Sequence, residues 1–345
     1  MKLHYLLDTH AGAYNRSIPT REEVGAFIDQ LYREIELAEE GGFEAIVVPE
    51  RHGRTECFFP SSLVLLSIIA TRTSRIRLGT YILVLPLHHP IHVAEQVAMI
   101  DQVSRGRVIF GVAAGYHSGY SQMFGIPHHE RGARFEEQVE IIRRAWTEER
   151  FSYHGRYYQF TDVLVTPKPY QTPMPEWWVG GMFPKTIARA GRIGDAWCSD
   201  PFPLDREVWL EQVRLYREAA RAAGRSSKVV LMRDGWVAPT REEAEEVFGR
   251  LAVEEWLFYF RWGILTHHPE FQSESDFTIE RASPHFILGT PEECIRQIER
   301  YAREYDVDEI VLRFRLPKGP RWDHVLRCLA LFGREVVPYF HGRGR

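Results

Sequence analysis

Two kinds of apolar pattern take turns along this chain from end to end. The first is a short continuous run, as in "EAIVVP", "GRVIFGVAAG" and "DEIVLRFR". Such runs have strand length but lack the alternation of a half-solvated strand, which predicts parallel strands covered on both faces. Eight are present: residues 3–7, "EAIVVP", "RIRLGTYILVLP", "GRVIFGVAAG", "WWVGG", "DAWCS", "KVVLMRDGWVAP" and "DEIVLRFR". The second pattern repeats with helical spacing. It predicts helices over residues 21–40, 60–72, 90–103, 131–150, 184–192, 205–223, 240–262 and 290–304, and a last helix ending near Val337. Gly41 and Gly42 stop the first helix, Pro90 opens the third, and Thr290 and Pro291 open the eighth. Two stretches fit neither pattern: a Pro- and Tyr-rich excursion after residue 150 and a long irregular segment over residues 263–284.

Eight strands each followed by a helix predict an α/β fold of the (β/α)₈ TIM barrel type with insertions, in a single domain spanning residues 1–345. An open doubly wound sheet is the alternative. It calls for a glycine-rich turn after the first strand, where this chain has "DTHAGAYN" and no GxGxxG.

Composition narrows the function. Net charge is -4 and acids and bases are dispersed, so no basic stripe for nucleic acid is expected and a small-molecule substrate is. Cys57, Cys198, Cys294 and Cys328 form no CxxC pair, which argues against a zinc ribbon or a disulfide framework. No apolar stretch has the length of a signal-peptide core or a membrane span, so a cytoplasmic protein with reduced thiols is expected. The pairs His88-His89, His128-His129 and His267-His268 are poor chelators, because adjacent residues point apart, and the first strand ends in "DTH" without the HxH of barrel metallohydrolases. No metal site is expected, and no GxSxG nucleophile elbow is present.

Barrel enzymes place their chemistry at the carboxyl ends of the strands. Here those ends carry Asp8 and His10, then Glu50, Arg51 and His52, His88 and His89, 114–117, 180–182, Asp200, 233–236 and 313–315. Gly180 and Gly181 close a strand just before a helix whose first turn holds Lys185 and Thr186, a pattern suited to a phosphate. In "VEEWLFYFRWG" five aromatics crowd one helix, more than a single buried stripe can hide, so some are expected to face a pocket. The irregular stretch after them, 263–284, is expected to act as a mobile lid.

The motifs "VVPERH", "RIRLGTYILVLPLHHP", "DQVSRGRVIFGVAAG", "VTPKPYQTPMPEWWVGG" and "GDAW" follow in an order that resembles the bacterial luciferase-like flavin-dependent monooxygenases, over nearly the whole chain. The resemblance implies a (β/α)₈ barrel, reduced FMN at the strand ends, oxygenation of a small organic substrate with O2, a separate flavin reductase, and a homodimer; the crowded aromatics suggest that the substrate is apolar or ring-containing. One branch of the family uses a deazaflavin and transfers hydride without oxygen, and a few relatives bind flavin without catalysis.

Carried onto this chain, the family's Glu-x-His matches Glu50 and His52 as catalytic residues, and its HP turn matches His89. The third-strand bulge, often with a cis non-proline peptide against the flavin ring, matches Thr80, Tyr81 and Ile82. Ala114, Gly115 and Tyr116 match the fourth-strand loop, where luciferases keep an arginine that this chain lacks. The phosphate site matches Gly180, Gly181, Met182, Lys185 and Thr186. Arg51 replaces a luciferase histidine, so light emission is not expected.

Overall fold

The computed structural model describes residues 1–202, 204–263 and 268–341. Eight strands form a closed parallel ring: β1 (Lys2–Leu6), β2 (Ala45–Val48), β3 (Arg77–Thr80), β4 (Val108–Ala113), β5 (Glu176–Gly180), β6 (Ala196–Cys198), β7 (Lys228–Val237) and β8 (Glu309–Arg313). Each pairs with the next and β8 returns to β1. The helices α1 (Arg21–Glu40), α2 (Ser62–Arg72), α3 (Pro90–Ser104), α4 (Arg131–Thr147), α5 (Pro184–Ile193), α6 (Arg206–Ala222), α7 (Arg250–Arg261), α8 (Pro291–Glu304) and α9 (Trp322–Glu335) surround it. The chain is therefore the (β/α)₈ barrel its pattern predicts. No helix among the described residues is long and apolar enough to cross a membrane.

Alternate residues of each strand face the helices or the barrel axis, and the axial ones form three layers. At the amino ends the layer is ionic. Lys228 Nζ lies 2.5 Å from Glu176 and 3.0 Å from Glu309. Arg77 reaches Glu176 at 2.8 Å, and His4 Nε2 reaches Glu309 at 2.8 Å. The middle layer is apolar, with Leu6, Val47, Ile109, Trp178, Val230 and Val311. At the carboxyl ends polar groups return: Asp8 with Arg51, and Asp234 with Arg313. The dry middle layer separates the two charged ends, so the upper layer is free to serve a ligand.

Three predicted elements differ in detail. The run expected as one third strand divides after Thr80: the Tyr81–Ile82 peptide is cis, and Leu83–Val84 then pairs with β4. Gly111 permits this, since a Cβ there would stand 1.9 Å from the Thr80 carbonyl oxygen. The helix expected over 240–262 is interrupted by a π-helical turn, Glu245–Gly249. The Pro- and Tyr-rich excursion forms an antiparallel hairpin, Arg150–His154 with Gln159–Leu164.

Residues 264–267 of the expected lid lie outside the described residues. Two aromatics of the rest are buried: Phe271 sits 5.8 Å, centroid to centroid, from Trp256, and Phe277 lies 5.0 Å from Phe260.

Candidate functional site

The carboxyl ends of the strands surround a cavity of about 410 Å³. One wall is the Tyr81–Ile82 segment with Val84, Ala113 and Gly180. It is apolar, and it leaves no room for side chains at Gly111 and Gly180, where an added Cβ would stand 1.9 Å from the Thr80 carbonyl oxygen and 2.4 Å from Ile82 Cδ1. Tyr116, Tyr120, Phe202 and Tyr259 add aromatic surface to the lining. Aromatic side chains give it a large dry area with polar tips.

Glu50 lines the cavity and gathers the third strand end around it. Its Oε2 accepts from the Val84 N–H at 2.6 Å, and its Oε1 lies 2.6 Å from His88 Nε2 and 3.1 Å from His52 Nε2. Burial works to raise its pKa, but bonding to His52, His88 and Val84 outweighs this and holds the carboxyl below its usual value. Glu50 is thus a buried carboxylate between two imidazoles. His52 sits behind it, its ring 4.7 Å from Phe124 and 5.6 Å from Tyr120.

His89 takes another direction. It is exposed at the start of α3, against Tyr158 and Phe160 of the hairpin, and does not line the cavity. The neighbouring His88 occupies the place by Glu50, as adjacent residues of an extended turn point apart. Arg51 turns away from both histidines and grips Asp8, with Nη1 and Nη2 at 3.0 and 3.1 Å from the two oxygens.

At the other end of the cavity Gly180, Gly181, Met182, Lys185 and Thr186 come together, as their sequence pattern suggests. A Cβ on Gly181 would lie 2.8 Å from the backbone of Thr186, so the strand-to-helix turn closes only with glycine there. Trp197 Nε1 donates to the Gly181 carbonyl at 2.8 Å, and Thr186 Oγ1 accepts from the Met182 and Phe183 N–H groups at 3.1 and 3.0 Å. The threonine hydroxyl therefore braces the turn.

Sequence reasoning missed two arginines and a histidine here. Arg131 from the start of α4 and Arg189 from α5 both reach the cavity, as does His129. Arg131 donates to the carbonyls of Gly115 and His128 at 3.0 and 2.7 Å, which ties it to the fourth-strand loop. Arg189 is buried, its Nε has no hydrogen-bond partner, and burial lowers its pKa. These side chains carry the charge that the fourth-strand loop lacks at Ala114. Their positions contain no local motif; only the packing of α4 and α5 on the barrel brings the two arginines in.

Thr80 stands beneath the site, fully buried, with Oγ1 donating to the Gly111 carbonyl at 2.5 Å. Ala114, Gly115 and Tyr116 line the cavity. Of the five aromatics near α7, Tyr259 faces the cavity, Phe258 stacks on Tyr14 at 3.9 Å, Trp256 is buried and Trp262 is 47% exposed.

His10, Glu56 and Cys57 bring possible metal-ligand atoms within 4.8 Å of one another. Burial pushes the Cys57 thiol up to about 12 and the His10 imidazole down to about 3, and Arg51 and Arg54 stand beside them. A protonated thiol among guanidinium groups is a poor cation site.

The luciferase-like monooxygenase family model matches residues 1–307. The oxygenase component of a flavin-dependent trigonelline monooxygenase from Acinetobacter baylyi is 26% identical over 331 residues, 90% of either chain. An F420-dependent glucose-6-phosphate dehydrogenase from Segniliparus rotundus is 36% identical over 323 residues, 87% of this chain and 90% of that one. Among solved structures, a monooxygenase from Streptomyces bottropensis superposes with a TM-score of 0.84 at 25% identity, covering 99% of this chain and all of its own. With a closed eightfold barrel, a cavity at its carboxyl face and this match over most of its length, the chain belongs to the luciferase-like monooxygenase family and is an oxidoreductase.

Proposed function

We propose that the protein is the oxygenase of a two-component system, using reduced FMN and O2 to oxygenate a small, ring-containing organic substrate, with the flavin supplied by a separate reductase. One observation carries the reading: Tyr81, Ile82 and Gly180 line the same cavity as Lys185, Arg131 and Arg189, an apolar surface beside cations. That combination suits a flavin ring and its phosphate. The unpartnered Arg189 Nε and the Gly181 turn fit such a group.

Bound there, reduced flavin would supply the electrons for oxygen activation, and the chain's own residues would manage position and protons. Lys185, Arg131 and Arg189 would neutralise the phosphate. Tyr81, Ile82, Ala113 and Gly180 would bear on the ring. Tyr116, Tyr120, Phe202 and Tyr259 would keep water from the reacting face. Glu50 is a carboxylate that meets the cavity, and His52 and His88 would pass a proton to or from its Oε1.

A second reading, a deazaflavin-dependent oxidoreductase that transfers hydride, is favoured by the 36% identity to the Segniliparus dehydrogenase. Anaerobic titration with reduced FMN and with reduced deazaflavin separates the two. Tighter FMN binding, with oxygen uptake only when substrate and FMN are both present, is the expected result. Hydride transfer to an acceptor under strict anaerobiosis would overturn the FMN reading. In the same titration Arg189→Met is expected to weaken FMN about tenfold or more, the loss of one charge-assisted contact.

A further inference from the structure

Three arginines reach the cavity, Arg51 and Arg54 from the loop after β2 and Arg313 from the end of β8. Two of them each donate two hydrogen bonds to a carboxylate of the chain itself. Arg51 holds Asp8 through both terminal nitrogens, and Arg313 holds Asp234 through Nε at 2.6 Å and Nη2 at 3.1 Å. Arg54 is different. Its Nε lies 2.7 Å from Glu56 Oε1, and among the described residues neither Nη atom donates a hydrogen bond.

Glu56 is buried and holds the guanidinium at Nε, and Arg54 itself lines the cavity. The rings of Tyr14 and Trp262 flank the guanidinium carbon at 5.2 and 5.9 Å, which further restrains its plane. A planar pair of parallel N–H groups matches a carboxylate. The surrounding surface is aromatic, formed by Tyr116, Tyr120 and Tyr259, with His117 beside them. Burial, and then the Arg54 charge, lowers the His117 pKa, which favours the neutral imidazole.

We infer that Arg54 recognises the substrate and that the substrate is an aromatic or heteroaromatic carboxylate, its carboxylate on the Arg54 Nη edge and its ring among Tyr116, Tyr120 and Tyr259. The inference rests on the flavin-dependent reading of the same cavity and holds for either flavin.

The test uses benzoate and benzamide, a matched anion and neutral amide, titrated calorimetrically into flavin-loaded protein. Wild type is expected to bind benzoate at least about tenfold more tightly than benzamide. Arg54→Lys keeps the charge and the Glu56 partner but not the planar edge, and should lose most of that preference. The double variant Arg54→Met with Glu56→Gln leaves no buried carboxylate unpaired, so it should fold, and benzoate should drop to the level of benzamide. Equal affinities in wild type, binding of neither probe, or a preference that survives in the double variant would each overturn the inference. Flavin titration of the same samples separates two failures. Normal flavin uptake without an acid preference refutes the substrate class alone; a wild type that takes up neither flavin refutes the reading beneath it as well.

Discussion

Replacing Glu50 by glutamine changes one atom and removes one buried charge, which makes it the sharpest probe of the site. In the wild type the carboxylate has three neighbours: the Val84 N–H at 2.6 Å, His88 at 2.6 Å and His52 at 3.1 Å. The amide keeps one acceptor, for the Val84 N–H, and turns its NH2 toward the imidazoles. Charge-assisted bonds become neutral ones, at a cost of about 1–3 kcal/mol. The pH dependence has a definite sign. The folded-state pKa of Glu50 lies below the ordinary 4.5, so the stability it contributes is complete above about pH 4.5 and is lost as pH falls through the lower folded value. The wild type should therefore exceed Glu50→Gln in stability by the full amount at pH 7, and the gap should shrink below pH 4.5. Urea unfolding followed by circular dichroism at pH 7, 4.5 and 3.5 measures it. A gap of the same size at all three pH values, or none at pH 7, would show that Glu50 is not held as a carboxylate by these partners.

Other positions respond differently. His52→Ala should lower turnover roughly a hundredfold while changing flavin affinity little, because His52 lies behind Glu50 and outside the cavity; steady-state kinetics beside a flavin titration checks this. Gly181→Asp should weaken FMN binding by at least about tenfold, through a Cβ 2.8 Å from the Thr186 backbone and a negative charge at the phosphate end, as read by flavin fluorescence. Gly111→Ala should cost about 1–3 kcal/mol or more in urea unfolding, since its Cβ would fall 1.9 Å from the Thr80 carbonyl oxygen; an unchanged midpoint would contradict the close approach of β3 and β4.

The alternation of apolar runs and amphipathic stretches determined the barrel without help. Each strand is buried on both faces, so its sequence is continuously apolar, and each helix buries one stripe, so its period shows. The same local rules located Glu50 and the Gly180–Gly181 turn, because both directly follow a strand end. What they could not decide was direction and convergence. His88 and His89 are neighbours in the sequence, yet one meets Glu50 and the other meets the hairpin, a choice made by the backbone path between β3 and α3. Arg131 and Arg189 look like ordinary surface residues of charged helices, and Arg54 like part of a polar loop. Their side chains are long enough to cross several ångströms of packing, so where their charge ends up depends on how α4, α5 and the loop after β2 dock on the barrel, which no stretch of sequence spells out.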